Sequence, residues 1–150
     1  MINAAELRLG NYLLHKHNGK ISMVACNYNH FELLQKGEAA SFYPVVLKPE
    51  LLEKAGFIEN KKYPLLPRAR EFILVLAVIG NNKNELYGYV KNNGECFVRA
   101  TVNGNVTSNN FFHLHQLQNL FFVLTGNEIA LRNQQQAQPV NNPVYNSFKN

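Results

Sequence analysis

Two His-x-His pairs, His15-Lys16-His17 and His113-Leu114-His115, are the residues whose type and spacing come nearest to metal chemistry. On a strand, side chains two apart point the same way, so His15 and His17 could offer two imidazole nitrogens to a zinc ion, with His30 or Glu32 as a third ligand. On a helix the same spacing spreads two rings by about 200°, so His113 and His115 converge only if the helix starts after them. Histidines at a strand end and a helix start account for both pairs, and neither a metal nor any other cofactor is expected. Cys26 with His30, or Cys96 with His115, would pair a thiol with a base, oriented by an asparagine as in some cysteine proteases. Both cysteines lie in strand-like patterns, where buried and inert thiols are common. There is no Gly-x-Ser-x-Gly elbow and no glycine-rich phosphate loop. Glu50 and Glu53, followed by Lys54, read as the exposed side of a short helix.

Composition narrows the chemistry further. Of 150 residues, 22 are asparagine and none is aspartate, so all ten acidic side chains are glutamate. That removes EF-hand loops, an aspartate-oriented Ser/His triad, a catalytic aspartate pair and an Asp-led magnesium site. The length fits one domain, large enough to bury a core without a disulfide or metal staple. Two cysteines seventy positions apart form no framework, so a reduced, cytoplasmic setting is expected. No signal-peptide pattern opens the chain and no apolar run reaches a membrane span, so no membrane partner is expected. The net charge of +5 is modest and leaves anionic partners open.

The elements that must position these residues follow from turns and periodicity. Asn11 to Lys16 and Lys20 to Asn27 flank Asn18-Gly19, a dipeptide suited to the positive φ angles of a hairpin turn. His30 to Gln35 is expected as the next strand, and Phe42 to Leu47 would close a small barrel-like sheet. Pro49 to Ala55 reads as a short helix, opened by proline and ended by Gly56. A linker, Asn60 to Arg70, leads to a strand over Glu71 to Ile79, apolar on both faces and so expected to be central. Glu85 to Lys91 and Glu95 to Val102 then flank Asn93-Gly94, with a further turn at Asn103-Gly104, giving a meander with Cys96, Val98, Ala100 and Val102 on one face. A helix from about Asn110 to Thr125 should end at Gly126. Its core stripe would be Leu114, Leu117, Phe121 and Leu124, with Leu120 at the edge. His115, Gln116 and Asn119 would lie on the other side together with Phe122 and Val123, a mixed face that either is covered or meets a partner. Glu128 to Leu131 is expected as a short edge strand.

These elements predict an α+β domain over residues 1–131, with sub-lobes 1–59 and 60–131. It would hold two antiparallel β-regions, one short helix and one longer amphipathic helix. From Arg132 the composition turns to Asn, Gln and Pro, a tail over 132–150 without apolar periodicity. Within it Pro139-Val140-Asn141-Asn142 is echoed by Pro143-Val144-Tyr145-Asn146, and Val144, Tyr145 and Phe148 are its candidate docking anchors.

Binding rather than bond-breaking is the expected function. A protein partner or self-association through His115, Gln116, Asn119, Phe122, Val123 and the tail is the first reading. Nucleic acid is the alternative partner, with Lys61, Lys62, Arg68, Arg70 and Lys83 supplying phosphate contacts and Tyr87 and Tyr89 stacking on bases. Asparagine in place of aspartate at the hairpin tips keeps them neutral or basic, and is expected to leave the lysines and arginines without nearby acidic partners.

Three stretches carry a resemblance: Leu7-Arg8-Leu9-Gly10-Asn11-Tyr12, Val46 through Phe57, and His115-Gln116-Leu117-Gln118-Asn119-Leu120-Phe121-Phe122-Val123-Leu124-Thr125-Gly126. Together they resemble short uncharacterised proteins of Bacteroides-type bacteria, often found beside prophage or mobile-element genes. The resemblance spans Leu7 to Leu131 and implies a cytoplasmic accessory protein of phage origin, with no catalytic residue to carry over. It lends weight to His115, Gln116, Gln118 and Asn119 as a structured polar surface, either an amide ladder tying the helix to adjacent strands or a ligand site.

Overall fold

The computed structural model describes residues 2–61, 69–79 and 81–132. The chain is α+β, with strands and helices in the order β1 (Tyr12–His17), β2 (Lys20–Ala25), α1 (Tyr28–Gln35), β3 (Phe42–Pro44), α2 (Pro49–Lys54), β4 (Ile58–Asn60), β5 (Ala69–Ile79), β6 (Asn82–Lys91), β7 (Cys96–Val102), β8 (Asn105–Val106) and α3 (Leu114–Thr125). Two antiparallel sheets form, one ordered β2-β1-β3 and the other β4-β5-β6-β7-β8.

Turn chemistry accounts for the hairpins. Asn18 and Gly19 both take positive φ, as do Asn103 and Gly104, the combination that matches strand twist in a two-residue loop. At Asn93-Gly94 only the glycine is left-handed. Gly94 N–H donates to the Lys91 carbonyl and Lys91 N–H to the Glu95 carbonyl, so this loop is longer and ends in a glycine.

The first sheet differs from the sequence expectation. His30 to Gln35 lies in helix α1, because Asn27 Oδ1 accepts from His30 N–H while His30 Nδ1 accepts from Asn27 N–H, a reciprocal cap. With that segment helical, only three strands remain, and β2 and β3 flank β1 without pairing to each other. Phe31, Leu33 and Leu34 of α1 pack on Leu13, Cys26 and Phe42, filling one side of this sheet.

The second sheet carries the main core on one face. Phe72, Gly88 and Val98 stand in register across β5, β6 and β7, followed by Leu74, Leu86 and Ala100. Leu52 and Ala55 of α2 and Leu114 and Leu117 of α3 cover that face, and Tyr12 and Leu14 of β1 reach the same core. Strand β1 therefore packs against the main core through Tyr12 and Leu14, while Leu13 belongs to the first sheet's own smaller core. Burial of Cys96, Val98 and Ala100 on one side of β7 follows the expected alternation, whereas Val102 is exposed. β5 pairs on both sides, although β4 covers only Ile73 to Glu71 of its outer edge.

Helix α3 begins four residues later than the pattern predicts. Phe111 and His113 instead make isolated bridges to Val98 and Val46, and the Gln116 side chain accepts from the N–H groups of Phe112 and His113 to open the helix. The helix ends at left-handed Gly126 as expected. Its buried side is Leu114, His115, Leu117 and Gln118, while Leu124 is exposed. The stripe is rotated because the helix packs against β1 as well as the large sheet. Glu128 to Leu131 forms no strand; Ile129 is buried in the core, and Arg132 N–H donates to the Lys54 carbonyl.

Candidate functional site

The polar side of α3 is built from neutral amides that reach back to the start of the chain. Gln118 is buried, its Oε1 accepting from Tyr12 N–H at 2.8 Å and its Nε2 donating to the Gly10 carbonyl at 3.2 Å. Asn119 Nδ2 donates to the Glu6 carbonyl at 2.6 Å. Its Oδ1 accepts from Asn11 Nδ2 and from Arg8. Asn11 is wholly buried and its Oδ1 accepts from Arg8 N–H at 2.7 Å. Gln118 and Asn119 therefore tie α3 to the turn before β1 by giving partners to its part-buried and exposed backbone groups.

His115 is the exception in this network. Only 2% of it is exposed, and neither ring nitrogen has a hydrogen-bond partner among the described residues. Glu6 Oε2 lies 3.6 Å from Nε2, just beyond hydrogen-bond reach. Burial holds the imidazole below its ordinary pKa, against the pull of Glu6, and His113 adds to the lowering. The expectation that His115 lies on the outer side of the helix is thus corrected. The rings of His113 and His115 run nearly parallel, 5.7 Å apart, because the helix starts between them.

Beyond the amides, α3 presents an apolar edge. Val123 is 79% exposed and Phe122 and Leu124 are also open. The Arg8 guanidinium lies 3.8 Å from the centre of the Phe122 ring and pairs with Glu128. Beside this edge runs an open groove of about 460 Å³, lined by Glu6, Phe111, Gln116, Asn119, Leu120 and Val123. Three of the sequence candidates, Gln116, Asn119 and Val123, meet there. Glu6 and Phe111 were not legible as partners, since they stand more than a hundred positions apart and neither belongs to a motif. Val144, Tyr145 and Phe148 lie outside the described residues.

The second histidine pair gathers a neighbour. His15 and His17 share one side of β1 with rings 5.8 Å apart, and His30 of α1 stands 5.7 Å from His15. His15 also stacks on Phe42 at 4.5 Å. His30 Nδ1 is occupied by Asn27, and Glu32 pairs with Lys36. Among the described residues no three His, Cys or Glu side chains are arranged to hold a metal ion.

The basic residues are more often paired than the sequence indicates. Arg70 makes a two-pronged ion pair with Glu59, at 2.7 and 3.1 Å, and Lys83 lies 3.0 Å from Glu85. Lys91 pairs with Glu95. The expectation of cations without acidic partners is therefore overturned: strand pairing brings Glu59 to Arg70, and Glu85 and Glu95 reach Lys83 and Lys91 from two and four positions along the chain. Lys61 is exposed, while Lys62 and Arg68 lie outside the described residues. Tyr87 and Tyr89 are buried with Phe97 on the sheet face away from the helices, so neither ring is open to a base. Burial pushes the Tyr87 hydroxyl up to about 12, with Glu85 alongside.

Comparisons with protein-family models, curated proteins and solved structures find no match to this chain. No helix of the described residues is long and apolar enough to cross a membrane.

Proposed function

We propose that this protein is a non-enzymatic interaction module that self-associates through the outer face of α3. The observation that carries the reading is the exposure of Val123 beside Phe122 and Leu124, on a helix whose other sides are already held by core and amides. Isolated exposed apolar residues are ordinary, but a contiguous apolar edge next to a groove marks a contact surface. The amides support this role by fixing the helix rather than by reacting. The resemblance to phage-associated accessory proteins fits a cytoplasmic adaptor of this kind, with Val144, Tyr145 and Phe148 as further anchors.

The alternative, nucleic-acid binding, loses support because Arg70 and Lys83 are paired and the tyrosines are buried. Light scattering of the full chain tests the main reading. Association that is lost in Val123→Glu and kept in Val106→Glu, an exposed site on β8, is the expected result. A chain that stays monomeric at every concentration removes it.

A further inference from the structure

The groove beside α3 has a chemistry that selects its occupant. Phe111, Leu120 and Val123 supply apolar walls, and Glu6, whose side chain is half exposed, also lines the groove. No lysine or arginine among the described residues pairs with Glu6; its nearest charged-group neighbour is the buried His115 ring, at 3.6 Å. In a chain of net charge +5, an acid left without a cation beside an apolar groove calls for an apolar side chain next to an ammonium group. Residues 133–150 contain one charged side chain, Lys149, and it directly follows Phe148.

We propose that the chain's own C-terminal segment occupies this groove, with Phe148 seated against Phe111, Leu120 and Val123 and the Lys149 ammonium at Glu6. The proposal rests on reading the outer face of α3 as a docking surface. Reach allows it: Arg132 is fixed to the Lys54 carbonyl, and the sixteen residues from there to Phe148 span up to about 50 Å, against about 18 Å for α3 itself. Tethering favours the same molecule over a second copy, because covalent linkage over so few residues sets an effective concentration of about millimolar. The segment then acts as an internal ligand that an external partner, or a second copy, must displace.

Amide NMR of the dilute full-length chain tests this with Phe148→Ala, Lys149→Glu, Glu6→Lys and the double variant Glu6→Lys/Lys149→Glu. Each single variant is expected to shift the amide signals of Gln116, Leu120 and Val123, and the double variant to return them toward wild type. Groove signals untouched by both tail substitutions overturn the proposal. Signals that move only at concentrations where the chain associates also overturn it, by assigning the groove to a second copy's tail. If Val123→Glu abolishes association while the tail variants leave the groove unchanged, the docking face stands and only its internal occupant is wrong.

Discussion

The side-chain amides of Asn11 and Asn119 meet at 3.1 Å, joining the turn before β1 to the middle of α3 across more than a hundred residues of sequence. Gln118 acts one position earlier, closing the Gly10 carbonyl and the Tyr12 N–H with a single carboxamide. Gln118→Leu keeps the volume but removes the partner of both part-buried groups, and each lost bond costs about 0.5–1.5 kcal/mol. Urea unfolding should show a loss of about 1–3 kcal/mol, while Val123→Ser, on the exposed edge, stays within about 0.5 kcal/mol. Equal effects from the two substitutions would mean the amides do not hold the helix.

Gly88 marks a close approach of α2 to the large sheet. A Cβ there would stand 2.6 Å from Leu52 Cδ1 and 3.5 Å from Phe72 Cβ, and both neighbours are fully buried. Gly88→Ala should destabilise by about 1–3 kcal/mol, the usual range for overpacking a filled core. Leu52→Ala removes the clashing methyl, so the double variant should cost less than the sum of the two single ones. Additive losses in thermal melts would place the strain elsewhere.

The parts of this fold that could be read beforehand were local ones. Asn18-Gly19 and Asn103-Gly104 impose their turns through backbone φ alone, and Pro49 and Gly56 bracket α2 for the same reason. Two of the misread segments share a different feature, a histidine beside a helix start. His30 takes the capping-box position normally held by Glu or Gln, and His113 is the residue before α3, so neither start carried the usual signature. For the site, Gln116, Asn119 and Val123 were visible as one helix face, and the amide ladder was one of two readings left open. Glu6, Phe111 and the burial of His115 were not visible, since they depend on tertiary packing between distant segments.

Both thiols should be silent in the folded chain. Burial raises the Cys26 thiol above its ordinary value, and burial with Glu50 nearby pushes Cys96 up to about 11. The thiolate is the reactive form, so at pH 8 Ellman's reagent should label neither cysteine in native protein and both in denaturant. Rapid native labelling of Cys96 would revive a reactive-thiol role.

Acid should weaken the fold from the histidine range downward. His115 and His30 both titrate below 6.5 in the folded chain, His115 through burial and His30 through burial and then His15. The unfolded chain therefore takes up protons first as pH falls, so stability is full above about 6.5. It drops as pH passes between that value and the folded pKa, then levels off. One fully displaced histidine gives a slope of up to about 1.4 kcal/mol per pH unit. Glu59 acts in a lower window: its Arg70 hydrogen bond depresses it below 4.5, so its contribution survives at pH 5.5. Urea unfolding at pH 8.0, 6.5 and 5.5 should show the decline, and His115→Gln should flatten most of it, with His30→Gln removing a smaller share because that ring is less buried. A wild-type profile that rises toward pH 5.5 would mean that the Glu6 carboxylate, 3.6 Å away, outweighs the desolvation of His115.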